Sequence, residues 1–206
     1  MKRRKSLKML TLAIGGVIAT PTLMQLLSGC VTQQNGDWEP KFLTSEEKII
    51  VTHLSDLILP TSDTIGALDV QVPQFIDLVL HNVSTKKEQE KFKKGTTYFK
   101  NAFKKIAAKE IAEGSKNEFL ILLNTYFKIS SEKQAQIFKL LEKDQVSSNN
   151  ADDYFIYSYL MFIRKYTLFG YYTSEKVGTE ILTYNPTPGF YNGCVPIEEA
   201  GNIQSA

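Results

Sequence analysis

The chain has 206 residues, 43% of them hydrophobic and 22% charged, with a formal charge of +2. That length holds one domain with a proper core. Residues 1–29 hold five of the 24 basic residues and none of the 22 acidic ones, so the remaining 177 residues carry −3, which excludes a nucleic-acid partner bound through net charge.

Residues 1–29 read as an export signal to be set aside before any fold argument. The basic start, "MKRRKSLK", precedes an apolar run from Met9 to Leu27 that is softened by Gly15, Gly16 and Pro21. This run is too short in effect, and too interrupted, for a permanent spanning helix of ~20 apolar residues. It ends in "LSGC", which resembles a bacterial lipobox, so that cleavage leaves Cys30 first with a diacylglycerol on its sulfur. "RRKSLK", with Arg3 and Arg4, resembles a twin-arginine signal of the kind that exports folded proteins, although Ser6 stands where an aromatic is more usual. An ordinary secretory signal is the alternative. The expected location is the cell envelope, lipid-anchored and facing the periplasm. Residues 30–42, polar with one Gly and one Pro, read as a lipidated tether, and 43–206 as the folded domain.

From there the pattern is helical. "TSEE" at Thr44–Glu47 is a capping box, followed by an apolar face of Ile49, Ile50, His53, Leu54, Leu57 and Ile58 that Pro60 stops. After a loop, Pro73 suits the first helical position, and Phe75, Ile76, Val79 and Leu80 form a short face. A long helix is predicted over about 85–110, with Phe92, Phe99, Phe103 and Ile106 inward. Nine lysines from Lys86 to Lys109 cover its other sides, a solvated face rather than a binding patch. A second capping box at Ser115–Glu118 opens an apolar helix through Phe127, and Ser131 with Gln134 opens another to Lys143. The last long helix is predicted near Asp152–Phe169, with Phe155, Ile156, Tyr159, Leu160, Ile163 and Tyr166 inward, and a short one near Ser174–Leu182. The expected fold is all-α, a single irregular bundle of about six helices with a non-regular C-terminal tail.

That tail and its approach are rich in tyrosine: eight of the ten fall at or after Tyr154. Tyrosine combines broad contact area with a hydroxyl, so Tyr171, Tyr172 and Tyr191 read either as partner contacts or as cover for the last helix. Motifs for chemistry are missing: there is no Gly-x-Gly-x-x-Gly, Cys-x-x-Cys-His or, beyond the signal, Gly-x-Ser-x-Gly. His53 and Asp56 lie three apart on one helix, but no nucleophile or third ligand accompanies them, which favours a structural histidine. His81 near a helix end reads as a dipole partner, and Asp63, Asp69 and Asp77 read as turn and cap residues whose spacing does not match a calcium loop. No catalytic, cofactor-binding or metal residue is assigned. An accessory subunit fits better than an enzyme.

The stretch from Leu43 to Asp77 resembles the start of the gluconate 2-dehydrogenase subunit 3 family. It has a capped helix ending Asp-x-x-x-Pro (Asp56 to Pro60), then Thr-x-Gly-Ala (Thr64 to Ala67) and Val-Pro-x-Phe-Ile-Asp (Val72 to Asp77). Gly-Tyr-Tyr-Thr-Ser at Gly170–Ser174 and Pro-Gly-x-Tyr-x-Gly-Cys at Pro188–Cys194 are similar to its end. The resemblance implies the small subunit of a periplasm-facing dehydrogenase. Its partner would be a large flavoprotein of the glucose–methanol–choline class carrying FAD, with a c-type cytochrome carrying haem c as electron acceptor. The small subunit would hold no cofactor and would support export and maturation of the flavin subunit. A stand-alone envelope lipoprotein is the alternative. Lipidation of Cys30 would remove it as a disulfide partner, which leaves Cys194 either at the contact with the large subunit or as a buried thiol.

Overall fold

A computed structural model describes residues 38–143, 147–182 and Cys194. The chain divides into two compact units, Met1–Trp38 and Glu39–Ala206, and the helices described lie in the second. They are α1 (Ser45–Ile58), α2 (Val72–Asn82), α3 (Lys86–Ala107), α4 (Lys116–Phe127), α5 (Ser131–Leu141), α6 (Ala151–Tyr172) and α7 (Glu175–Glu180), with 3-10 turns at Ile111–Glu113 and Ser148–Asn150. No strand occurs among the described residues, and the fold is the all-α bundle expected from the periodicity.

Local chemistry sets the helix starts. Thr44, Thr85 and Ser115 each accept from the backbone N–H three residues on, and the glutamate there accepts from the cap's own N–H. Each box satisfies two N–H groups that the helix leaves without partners. At α5 the cap is Ser130 rather than the expected Ser131, its hydroxyl accepting from Lys133 N at 3.3 Å.

Helix α6 is the centre. It is apolar round most of its circumference, and such a helix is stable only when surrounded. Accordingly α1, α2, α3 and α5 all pack on it. Its closest neighbour is α3, which presents Phe92, Phe99 and Phe103, all buried. Tyr159 of α6 packs among them with its ring tilted, 4.9 Å from the Phe92 ring and 5.5 Å from that of Phe99. Gly95 permits this approach, since a Cβ there would come within 2.7 Å of Tyr159 Cβ. Phe119 of α4 closes the cluster 4.9 Å from Phe103.

The lysines of α3, with Lys109 just beyond its end, form a solvated face, as expected, threaded with pairs. Lys93, Lys100, Lys104 and Lys109 bind Glu47, Glu46, Glu110 and Glu118, and Lys91 lies over the Tyr154 ring at 4.4 Å. Two expectations need correction. Helix α3 stops at Ala107 rather than reaching Glu110, because Ala108 turns left-handed at φ 53°. Ile106 consequently points out, 45% exposed, and Ile111 on the following turn fills the core in its place at 2%. On α6, Phe155 and Tyr166 are only half-buried, while Tyr154, Tyr157 and Thr167 are buried.

Candidate interaction surface

Two of the family-like stretches, Leu43–Asp77 and Gly170–Ser174, meet at one corner of the bundle, where the loop between α1 and α2 touches the end of α6. The loop organises around Asp69, whose Oδ2 accepts from Thr61 Oγ1 and from Gly66 N, both at 2.7 Å. These bonds, the backbone one foremost, hold the Asp69 carboxyl below the usual range. Gly66 lies so close to residue 61 that a Cβ would sit 2.7 Å from Thr61 Cα. The Ala67 N–H then donates back to Leu59 O at 2.8 Å, closing the loop on the end of α1.

The end of α6 reaches in from the other side. Tyr171 donates its hydroxyl to Ile65 O at 2.8 Å and is only 7% exposed. Gly170 packs against the ring of Phe75 on α2, where a Cβ would fall 2.6 Å from Cδ1. One turn away, buried Asp77 accepts from the N–H groups of Lys41, Phe42 and Leu43 at 2.7, 3.0 and 2.9 Å. Lys93 donates to Phe42 O at 3.3 Å and lies over the Phe42 ring. The packed chain therefore begins before residue 43, because Asp77 and Lys93 strap residues 41–43 to the domain.

Tyr171 is thus buried in the domain's own fold rather than standing as an outward contact. Tyr172 is 49% exposed beside Phe169, which is 54% exposed. Cys194 is exposed. Arg3, Arg4, Cys30 and Tyr191 lie outside the described residues. His53 is half-buried and stacks on Phe119, ring centroids 4.7 Å apart. Burial, with Lys116, pushes its pKa down against the opposing pull of Asp56, and Asp56 is in turn paired with Lys116. Of the loop aspartates, Asp69 and Asp77 hold backbone and Asp63 is exposed. Among the described residues no three His, Cys, Asp or Glu cluster as a metal site would require, and no helix is long and apolar enough to cross a membrane.

A second surface, absent from the sequence reading, lies where α4, α5 and α6 meet. There a groove of about 270 Å³ opens between Phe127, Ile137, Phe138, Tyr157 and Met161, with Arg164 on its lining. Helix α4 is apolar on more sides than the bundle covers: Phe119, Leu122 and Leu123 are buried, while Leu120, Ile121 and Phe127 remain 41%, 47% and 39% exposed. Helix α5 buries only Ile137 and leaves Phe138 57% exposed. The signal was present in the unbroken apolar run "FLILL" at Phe119–Leu123, whose apolar residues outnumber what one face can bury. Patches of this kind on soluble domains mark contact sites.

No curated protein and no solved structure matches the chain. The family model described as gluconate 2-dehydrogenase subunit 3 matches residues 45–189, from the start of α1 into the tail and so across both surfaces. The chain belongs to the gluconate 2-dehydrogenase subunit 3 family.

Proposed function

We propose that this chain is the non-catalytic small subunit of a dehydrogenase complex, exported and lipid-anchored at Cys30, that supports export and maturation of a larger FAD-carrying subunit. The family membership carries this reading. Its partner would be a flavoprotein of the glucose–methanol–choline class, with a c-type cytochrome receiving the electrons at the periplasmic face. Two features support a partner-bound rather than solitary life. One is the twin-arginine-like start with Arg3 and Arg4, which suits export of already folded cargo. The other is the uncovered apolar face of α4 and α5.

Tagged protein extracted in mild detergent should co-purify with a yellow flavoprotein, and deleting this chain should strand that flavoprotein in the cytoplasm. A quantitatively monomeric lipoprotein, with no other protein mislocalised on deletion, rejects the reading. Cys30→Ala should abolish acyl incorporation and release the chain from membranes. Non-reducing gels of the native complex test a disulfide from Cys194 to the partner.

A further inference from the structure

Six ion pairs join described residues to one another, and lysine supplies the cation in each of the six. Arg164 is the one arginine outside positions 3 and 4, and none of those pairs uses it. It is exposed on α6 and lines the apolar groove between α4, α5 and α6. Arginine differs from lysine in carrying a planar fork that grips a carboxylate through two parallel hydrogen bonds and that also lies flat on aromatic rings. Tyr126, Tyr157 and Phe138 supply such rings around it.

We infer that the Arg164 groove is the docking site for the dehydrogenase subunit, and that it receives an apolar segment of that partner carrying an acidic side chain. This rests on the subunit reading proposed above. Charge complementarity selects the acid, because an arginine without an ion pair beside an apolar recess favours an anionic visitor and repels a basic one. The surroundings select a protein over a small molecule. At about 270 Å³ the groove falls just below the ~300–1,000 Å³ usual for small-ligand pockets. Phe127 and Phe138 of its lining stay 39% and 57% exposed, and Leu120 and Ile121 of α4 add uncovered apolar surface beyond that lining, as a protein contact requires. Arginine, tyrosine and phenylalanine are the side chains that dominate interface cores.

The test uses the full chain co-expressed with its dehydrogenase partner, reading co-purified flavin per tagged subunit and the dissociation constant of the reconstituted pair. Arg164→Glu should weaken the pair about 30-fold or more, and Arg164→Lys, which keeps the charge but loses the fork, about tenfold. Phe138→Asp should weaken it comparably. Both residues changed are exposed, so unchanged helical circular dichroism and melting separate lost docking from lost folding. A partner Asp or Glu changed to Lys should restore binding to Arg164→Glu and identify the visiting side chain. If Arg164→Glu binds the flavoprotein as tightly as the unaltered chain, the inference is wrong. Loss of a bound fatty acid in native mass spectra, with flavoprotein binding intact, would reassign the groove to an amphiphile and overturn it as well. If the unaltered chain captures no flavoprotein, the subunit reading itself fails and this inference falls with it.

Discussion

The corner built by the α1–α2 loop and the end of α6 differs in kind from the groove end built by α4, α5 and α6. At the corner nearly every named side chain has a specific partner: Asp69 holds Thr61 and Gly66, Tyr171 holds Ile65, and Asp77 holds three consecutive N–H groups. At the groove end, α5 rests on Ile137 and on the Lys133–Asp153 pair at 2.7 Å, with apolar side chains left facing water. The first region resembles a finished interior; the second resembles half of one. Residues that look like a motif therefore need not be the ones that meet a partner. A backbone loop without regular structure requires particular side chains to satisfy its polar groups, whereas a docking face requires only shape, apolar area and a charge in place.

The strongest way to break the contrast is at Asp77. Asp77→Ala removes three charge-assisted bonds at once and leaves the buried Leu43 N–H without its acceptor. A loss of about 2–4 kcal/mol is expected, lowering Tm by on the order of 10 °C. Amide exchange should accelerate selectively at residues 41–43. Unchanged protection there would show that Asp77 does not hold the strap.

A paired substitution sharpens the contrast further. Gly66→Ala drives a methyl into the backbone of residue 61 and disturbs the carbonyl that receives Tyr171, so it should cost about 1–3 kcal/mol. Phe138→Asp, at the groove, should cost less than about 1 kcal/mol, because the ring is already more than half exposed. Urea midpoints of the two variants decide it. Equal losses would erase the distinction between a knitted corner and an open end.

Helices were legible because their signals are local. Two capping boxes, at Thr44–Glu47 and Ser115–Glu118, the apolar stripe Phe92–Phe99–Phe103 and the stop at Pro60 each act within a turn or two, and the structure adds a third box at Thr85–Glu88. The end of α3 was not legible, since Ala108 adopts a left-handed conformation that alanine does not advertise, and only the packing of Ile111 explains it. Tyr171 was equally opaque: a tyrosine in a Tyr-rich segment looks the same whether its hydroxyl meets Ile65 or another chain. The groove escaped notice because its wall is assembled from three helices and its one charge, Arg164, is separated in sequence from Phe127 and Phe138. What could be read was the surplus of apolar residues in α4.

The smallest expected effect lies at the seam between the two regions. His53 of α1 stacks on Phe119 of α4, and the Asp56–Lys116 pair crosses the same junction. Burial is the main reason that its pKa is lowered from 6.5, with Lys116 acting in the same direction. Above pH 6.5 the ring is neutral folded or unfolded, and its contribution is fully present. As pH falls from 6.5 toward the folded value, the unfolded chain takes up the proton first, so stability declines across that window and levels off below it. His53→Gln should flatten the difference in urea midpoint between about pH 7.5 and about pH 5.5. Acidification should also open α4 to amide exchange before it opens α2, because charging His53 disfavours its half-buried stack on an α4 ring, while the corner's Asp69 carboxyl, held below the usual range by its hydrogen bonds, stays ionised across that window. A variant with the same pH slope as the unaltered chain would place the acid sensitivity elsewhere in the molecule.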